Sequence, residues 1–550
     1  MTINSSANFK EKTTTLKALL FQFDEKLEET KKEIINSLLN SVPNKPNDFK
    51  LLHQLLLSLL AYPSSKGMYS FTKNSMQSLL SKLENNPSLQ TKLAGTGLVN
   101  TPIECNFSYE KVCFLIQQYS NQVFIHSATS SIETQKAVLK LILPSVEYSL
   151  IHEGEKDLKN RIAKLHTSKT QTDLEWLINC INNSQKSDEQ KAFIYNQLGI
   201  FITWKVSDLT NSVSNLRGLN FPLYYHTKNI EKNIDFNNQL KKKLPKPTEL
   251  SNEQKKQLIN SAKLTLLYLY RETEPFKNAN DDDITVFKLE HGITIALFGS
   301  KLEKRYSLES YIGYLVLKNN IPASYGGGWI FGERSQFGIN ILEAFRGAES
   351  SLIITELLRV YHQHFSVQRF VVKPYQFGLH NSEAIKTGAF WFYYKFGFRP
   401  ENKKLQELAL FELEQKTINP KHKSSDATLK KFTKSNIALQ ISESSYPNYD
   451  AEEISKSITN YINTKFEGNR KKALDSSFKL LSKNLELKKH NLNSADVEYA
   501  KQISILCCMK PNSNEWQKKN KKNILLLISL KPSKTELPWI QHLQKFNNLL

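Results

Sequence analysis

A chain of 550 residues has room for two to four domains, and a hydrophobic share of 40% is enough for globular cores. The formal net charge of +21 has two readings: an electrostatic footprint for nucleic acid or another anionic surface, or compositional drift in a chain rich in Lys, Asn and Ile. Arg, the preferred residue for bidentate phosphate contacts, is scarce and forms no compact cluster along the sequence, which weighs toward drift.

The cysteines, Cys105, Cys113, Cys180, Cys507 and Cys508, are odd in number, with no CxxC and no histidines at zinc spacing. They argue for a reducing compartment and against a structural metal. The first residues, MTINSSANFKEKTTT, lack the apolar run of a signal peptide, and the windows at 51–62 and 524–530 are too short or too interrupted to span a bilayer. The expectation is a cytoplasmic protein without a transmembrane segment.

Helical periodicity opens the chain. Leu16, Leu19, Leu20, Phe23 and Leu27 share one face of a helix expected over residues 16–39. Further helices are expected over 51–61, stopped before Pro63, and over 71–83, 109–119, 133–151 and 174–181. No fixed repeat period is present, so a regular solenoid is not supported. Residues 1–200 therefore read as a helical region whose apolar faces pack helix on helix. Residues 201–252 read as a connecting region, with a strand at 201–206 and a basic, proline-bearing linker from Lys241. Lys241, Lys242 and Lys243 are a solvated run on this reading and phosphate contacts on the competing one.

A helix over 253–270 precedes Asp281, Asp282 and Asp283. These read as a polar turn, because adjacent carboxylates do not converge on a metal without further ligands. Strands follow at 284–289 and 293–298, then at 310–317 and 321–331 around an Asn319-Asn320 hairpin turn. Gly326-Gly327-Gly328 is not GxGxxG and opens no helix, so a bulge or close sheet packing is expected rather than dinucleotide binding.

The densest signal lies between Gly338 and Pro400. Residues 338–345 predict a strand, Arg346-Gly347 a tight turn, and residues 348–365 a helix whose Ile353, Leu357, Val360 and Tyr361 share a face. A strand feeding a glycine turn and a helix N-terminus offers outward-pointing N–H groups to an anion. A second strand, 369–372, leads through Asn381 and Ala384 into an aromatic helix over 389–396. His362 and His364, two apart on a helix, share no face and make no metal pair. His380 is a loop histidine or a general base. After Pro400, residues 416–550 read as a helical, Lys-rich C-terminal region with a linker at 419–425 and helices over 451–466, 471–487 and 495–508. The run Lys518, Lys519, Lys521 and Lys522 precedes an apolar strand or helix at 524–530. This tail is a solvated face or a contact for nucleic acid or anionic lipid.

At these central residues the sequence resembles the GNAT acyltransferase superfamily, over about residues 255–415. The family's pyrophosphate loop has the form Arg/Gln-x-x-Gly-x-Gly/Ala after its fourth strand, and Arg346 takes the first place, followed by Gly347. Its later signature is an Asn, an Ala three residues on, and a Tyr four residues before Gly-Phe; Asn381, Ala384, Tyr393, Gly397 and Phe398 keep that order. The strands from Ile284 to Phe331 are similar to the family's antiparallel half-sheet. The blocks SYGGGW, FRGAES and GAFWFYY are also similar to runs in uncharacterised bacterial proteins, which implies no activity.

The resemblance implies an α/β (α+β) domain with a mixed central sheet over residues 253–415, between mostly helical regions. It implies an N-acyltransferase that takes acetyl-CoA or another acyl-CoA as co-substrate, needs no metal and acts on an amine of a small molecule or protein. Arg346, Gly347, Ala348, Ser350, Ser351 and Asn381 would hold the CoA. Tyr393, protonated at neutral pH, would be the acid that protonates the departing thiolate. Glu343 is the best base candidate, directly or through a water. The competing readings are an ion pair for Glu343 and core packing for Tyr393 among its aromatic neighbours.

The sequence departs from the family at two places. Glu349 and Ser351 stand where the family has Gly and Gly/Ala. A carboxylate about 4 Å from a phosphate costs on the order of 4 kcal/mol, against about 0.3–1 kcal/mol gained at a helix N-terminus. Glu349 therefore closes the loop if it points inward, or leaves Ser350 and Ser351 as donors if it turns away and pairs with Arg346. Asn381 and Tyr393 are also about five residues further apart than usual. Two rival functions follow: a GNAT-shaped core that has lost CoA and binds a partner through its helical arms, and an aminoacyl-tRNA-dependent transferase, whose tRNA the positive charge would suit.

Overall fold

The structure is a computed structural model and describes residues 8–41, 45–152, 157–167, 170–230, 234–347, 349–442, 450–509 and 518–546. The chain divides into two compact units. One is Met1–Asn229 with Gln257–Glu272 and Asn319–Pro322; the other is Ile230–Lys256, Thr273–Lys318 and Ala323–Leu550.

The first unit opens with helices Phe9–Leu19, Glu25–Asn40, Pro46–Ala61 and Lys66–Glu84. The helix expected over 16–39 is thus two, because Asp24 caps the second one by accepting from the Lys26 N–H. The helix expected over 133–151 also breaks: Ile132–Ile142 ends ahead of Pro144, whose ring cannot continue it. The unit is not purely helical. Strands β1 (Pro102–Cys105), β2 (Val123–Ala128) and β3 (Ile200–Lys205) form an antiparallel sheet in the order β1-β3-β2. Ile200, Ile202 and Trp204 alternate along β3 and pack with Val123, Ile125, Leu174 and Leu177.

The second unit is built on β4 (Ala279–Lys288), β5 (Ile293–Ser300), β6 (Ser310–Lys318), β7 (Ile321–Phe331), β8 (Arg334–Ile341), β9 (Arg369–Val372), β10 (Arg399–Pro400) and β11 (Ile437–Gln440). The sheet order is β10-β11-β9-β8-β7-β6-β5-β4. It is mixed: β8 and β9 run parallel, while β4/β5, β5/β6, β7/β8, β9/β11 and β10/β11 are antiparallel. Every residue of β5 and β6 is buried, as in strands covered on both faces. Asn319 and Asn320 join β6 to β7 with φ of 46° and 70°, the left-handed pair that a tight hairpin turn needs.

Two expectations change here. Residues 253–415 are not a self-contained domain, because β11 comes from residues 437–440 and lies between β9 and β10. The helix Asn252–Tyr268 also gives most of its length to the first unit. Asp281, Asp282 and Asp283 form no turn: they lie in β4, where the register with β5 shifts between Ala279 and Ile284. Asp283 accepts a hydrogen bond from the Glu536 N–H at 3.1 Å.

The triple glycine is a packing device. A Cβ on Gly326 would stand 2.4 Å from the Tyr314 hydroxyl, one on Gly327 2.6 Å from the Tyr311 ring, and one on Gly328 2.7 Å from the Tyr361 ring. Tyr361 belongs to α1 (Ser350–Phe365), which buries Ile353, Leu357 and Val360 beside it. Two short helices follow, α2 (Ser382–Thr387) and α3 (Ala389–Lys395). The C-terminal helices include α4 (Arg470–Asn484), α5 (Ser494–Cys508), α6 (Lys518–Leu530) and α7 (Leu537–Lys545), so residues 524–530 are helix, not strand.

Candidate functional site

The parallel strands part early. β8 pairs with β9 only at Arg334↔Arg369, Ser335↔Phe370 and Gln336↔Val371, yet it stays paired with β7 as far as Ser324↔Ile341. At the far end of β8 lies a cavity of about 290 Å³. Its lining comes from five places: Ile339, Asn340 and Ile341 of β8; Arg346 and Ser350 at the turn into α1; Gln376 of the 3-10 turn Pro374–Phe377; Asn381, Glu383 and Ala384 at the start of α2; and Phe392 and Tyr393 of α3. Of the residues singled out in the sequence, Arg346, Ser350, Asn381 and Tyr393 meet here. Ala348 lies outside the described residues.

The turn is longer than the sequence suggested. β8 ends at Ile341, and a single 3-10 turn, Glu343–Phe345, buries Phe345 before Arg346. Glu343 is therefore not on the strand; it is exposed and is not part of the cavity lining. Gly347 takes φ of 85°, a left-handed conformation that glycine adopts freely, and its N–H donates to the Ser350 hydroxyl at 3.1 Å. Ser351 also stands outside the lining, and its carbonyl accepts from the Thr355 hydroxyl.

Glu349 occupies the N-cap position of α1 but caps nothing with its side chain. It is turned away from the cavity into the protein, where its carboxylate meets the Lys318 ammonium at 2.6 Å. Lys318 also donates to the His291 carbonyl at 2.5 Å. Burial pushes the Lys318 ammonium down to about 8, with Glu349 opposing the shift. Arg346, the partner considered for Glu349, instead donates to the Ile341 carbonyl at 3.1 Å and pairs with Glu383 at 2.9 Å. Both side chains of that pair are more than half exposed, at 55% and 69%.

Asn381 caps α2, accepting from the Ala384 N–H at 3.1 Å while its amide donates to the Tyr375 carbonyl at 3.2 Å. The Asn381 side chain thus holds the loop. Between Asn381 and Tyr393 the chain breaks from α2 to α3 at Gly388, which sits at φ of 65°. Tyr393 is 2% exposed and packs against Phe392 and Phe398. Burial raises its pKa well above the ordinary tyrosine value, with the Ile339 backbone amide pulling weakly the other way. The phenol is thus protonated throughout the neutral range.

The histidines stand apart from this lining. His362 contacts the Val367 carbonyl at 2.7 Å, and burial pushes His364 down to about 4. His380 is an exposed loop residue with φ of 54°.

Sequence reasoning missed two things. Glu383 lines the cavity and holds Arg346, and its only signal was its place in the first turn after the capping Asn381. The sequence also shows no compact Arg cluster, but Arg334, Arg369 and Arg399, the first residues of β8, β9 and β10, line a second cavity of about 660 Å³. Two of them are already paired, Arg369 with Glu401 at 2.7 Å and Arg334 with Asp450 at 3.4 Å.

Among the described residues no group of three or more His, Cys, Asp or Glu is placed to hold a metal ion. No helix among them is long and apolar enough to cross a membrane. The five cysteines carry no disulfide. No family model, no curated protein and no solved structure matches this chain.

Proposed function

We propose that the cavity at the end of β8 receives an acyl-CoA, acetyl-CoA or a longer one, and that the protein transfers its acyl group to an amine. One observation carries this reading: Arg346, Ser350 and Tyr393 converge on one cavity while Glu349 is turned away to Lys318. The charge that would repel a phosphate is therefore spent elsewhere. The N-terminus of α1, whose cap residue makes no side-chain bond to it, is left to an anion.

The magnitudes favour entry of an anion. The Arg346–Glu383 pair is exposed, and such pairs contribute about 0–1 kcal/mol. A phosphate that gains charge-assisted bonds from Arg346 gives about 1.5–3 kcal/mol each and outcompetes Glu383. About 290 Å³ suits the thioester end of the ligand, with the nucleotide end on the open side by Arg346.

In this reading the amine nitrogen attacks the thioester carbonyl, a C–N bond forms and the C–S bond breaks. The departing thiolate takes its proton from the Tyr393 hydroxyl, and the phenolate left behind, which burial disfavours, regains a proton from water. The amine gives up its proton to water. Glu343, exposed and outside the lining, serves as base only through such a water.

The test is release of free CoA thiol from acetyl-CoA in the presence of an amine panel: polyamines, aminoglycosides, lysine peptides and peptide N-termini. Release with at least one class, reduced about a hundredfold by Tyr393→Phe, is expected. A rate equal in wild type and Tyr393→Phe contradicts the mechanism.

A second reading has a specific observation behind it. Arg346 is held by Glu383, and both ends of the Asn381 side chain are engaged. A site so occupied suits a binding protein without catalysis. Acyl-CoA binding with no thiol release across the panel would favour that reading.

A further inference from the structure

The C-terminal helices bring lysines that are scattered in sequence onto one groove. Lys479 and Lys483 come from α4, Lys488 and Lys489 from the 3-10 turn that follows it, and Lys501 from α5; together they line a depression of about 570 Å³. All but Lys501 are exposed. The acidic residues of this lining are Asp475 and Glu486; Glu486 is already paired with Lys489, and Lys521 of α6 acts on it from a third helix. The bias extends beyond the groove: from Arg470 to Lys522 the chain has thirteen Lys and Arg against five Asp and Glu.

Like charges on one groove repel each other, so their convergence favours a polyanionic occupant. The cations are ammonium groups, which neutralise phosphates as point charges and do not make the bidentate contacts that read base edges. The groove's aromatic ring, Phe478, is half-buried and is the one apolar side chain of the lining, so a flat base can stack on it while the lining offers a bilayer no exposed apolar anchor. We propose that this groove binds the phosphodiester backbone of single-stranded nucleic acid without sequence selection. The proposal stands on this groove alone and is independent of acyl transfer at the β8 cavity.

The test uses the full chain and a fluorescein-labelled 20-nucleotide oligouridylate, with anisotropy read from about 50 to 300 mM salt. With the five groove lysines and Lys521 engaged, the slope of log K against log salt is expected to be about −4, at roughly −0.7 per phosphate on a single strand. The triple variant Lys479→Glu, Lys483→Glu, Lys488→Glu is expected to bind at least tenfold more weakly and to flatten the slope to about −2. A triple Gln variant at the same positions stands in if the Glu variant fails to fold, with the same direction expected. An equal charge change elsewhere in this unit, Lys404→Glu, Lys430→Glu, Lys434→Glu, is expected to alter affinity less than about threefold. Three results overturn the proposal: no oligonucleotide binding at the lowest salt, an equal loss in both variants, or binding to phosphatidylserine vesicles without binding to the oligonucleotide.

Discussion

The Lys318 ammonium and the Glu349 carboxylate meet at 2.6 Å with 1% and 3% of their side chains exposed. The pair fixes the direction of a carboxylate that would otherwise stand against a phosphate at the turn after β8. Removing one partner leaves the other charge buried and unpaired. Lys318→Met is therefore expected to destabilise the protein by about 3–5 kcal/mol, measured by urea unfolding. Adding Glu349→Leu should recover most of that loss. A single variant as stable as wild type would mean that the pair is not formed in solution.

The exposed pair makes the opposite expectation. Glu383→Gln removes the carboxylate that holds Arg346, at a stability cost within about 0.5 kcal/mol. Acyl-CoA affinity should rise a few-fold, because the ligand no longer displaces a competitor. Weaker binding in this variant would show that Glu383 helps to place the ligand.

Two largely buried carboxylates set a pH dependence. Burial raises Asp283 and Glu309 to about 6; Glu536 adds to the rise at Asp283, where Arg305 and Lys531 oppose it, and Arg334 and Lys531 oppose it at Glu309. Their folded-state values exceed the unfolded ones, so between about pH 4 and 6 the folded protein binds more protons than the unfolded chain. Stability from these groups is present below that window and is lost as pH rises through 6, by on the order of 2 kcal/mol each. Asp283→Asn should flatten the profile of melting temperature against pH. A profile that stays as steep would remove Asp283 as a cause.

The triple glycine should tolerate no side chain. Gly327→Ala places a Cβ 2.6 Å from the Tyr311 ring, which is itself stacked on Trp329 with centroids 3.7 Å apart. The ring has little room to yield, and a loss of about 1–3 kcal/mol is expected in thermal unfolding.

What was legible in the sequence, and what was not, follows from the range of the interactions. β5, β6 and β7 are apolar runs bounded by turn residues, and local pattern was enough to find them. The four residues of β11 lie between helical signals and become a strand only because β9 and β10 offer edges on both sides. Arg346, Ser350, Asn381 and Tyr393 line one cavity, a grouping that came from the motif resemblance and not from local pattern. The direction of Glu349 was not legible, because its partner lies 31 residues earlier at the end of β6. Nor was the exposed position of Glu343, which depends on where β8 stops.

The most direct measurement is calorimetric titration with acetyl-CoA and with free CoA, comparing wild type with Arg346→Ala. Micromolar binding to wild type, weakened at least tenfold in the variant, is the expected result, since a charge-assisted phosphate contact of about 1.5–3 kcal/mol corresponds to such a loss. Absence of binding by wild type to either ligand, or equal binding by both proteins, would contradict an acyl-CoA site at the end of β8.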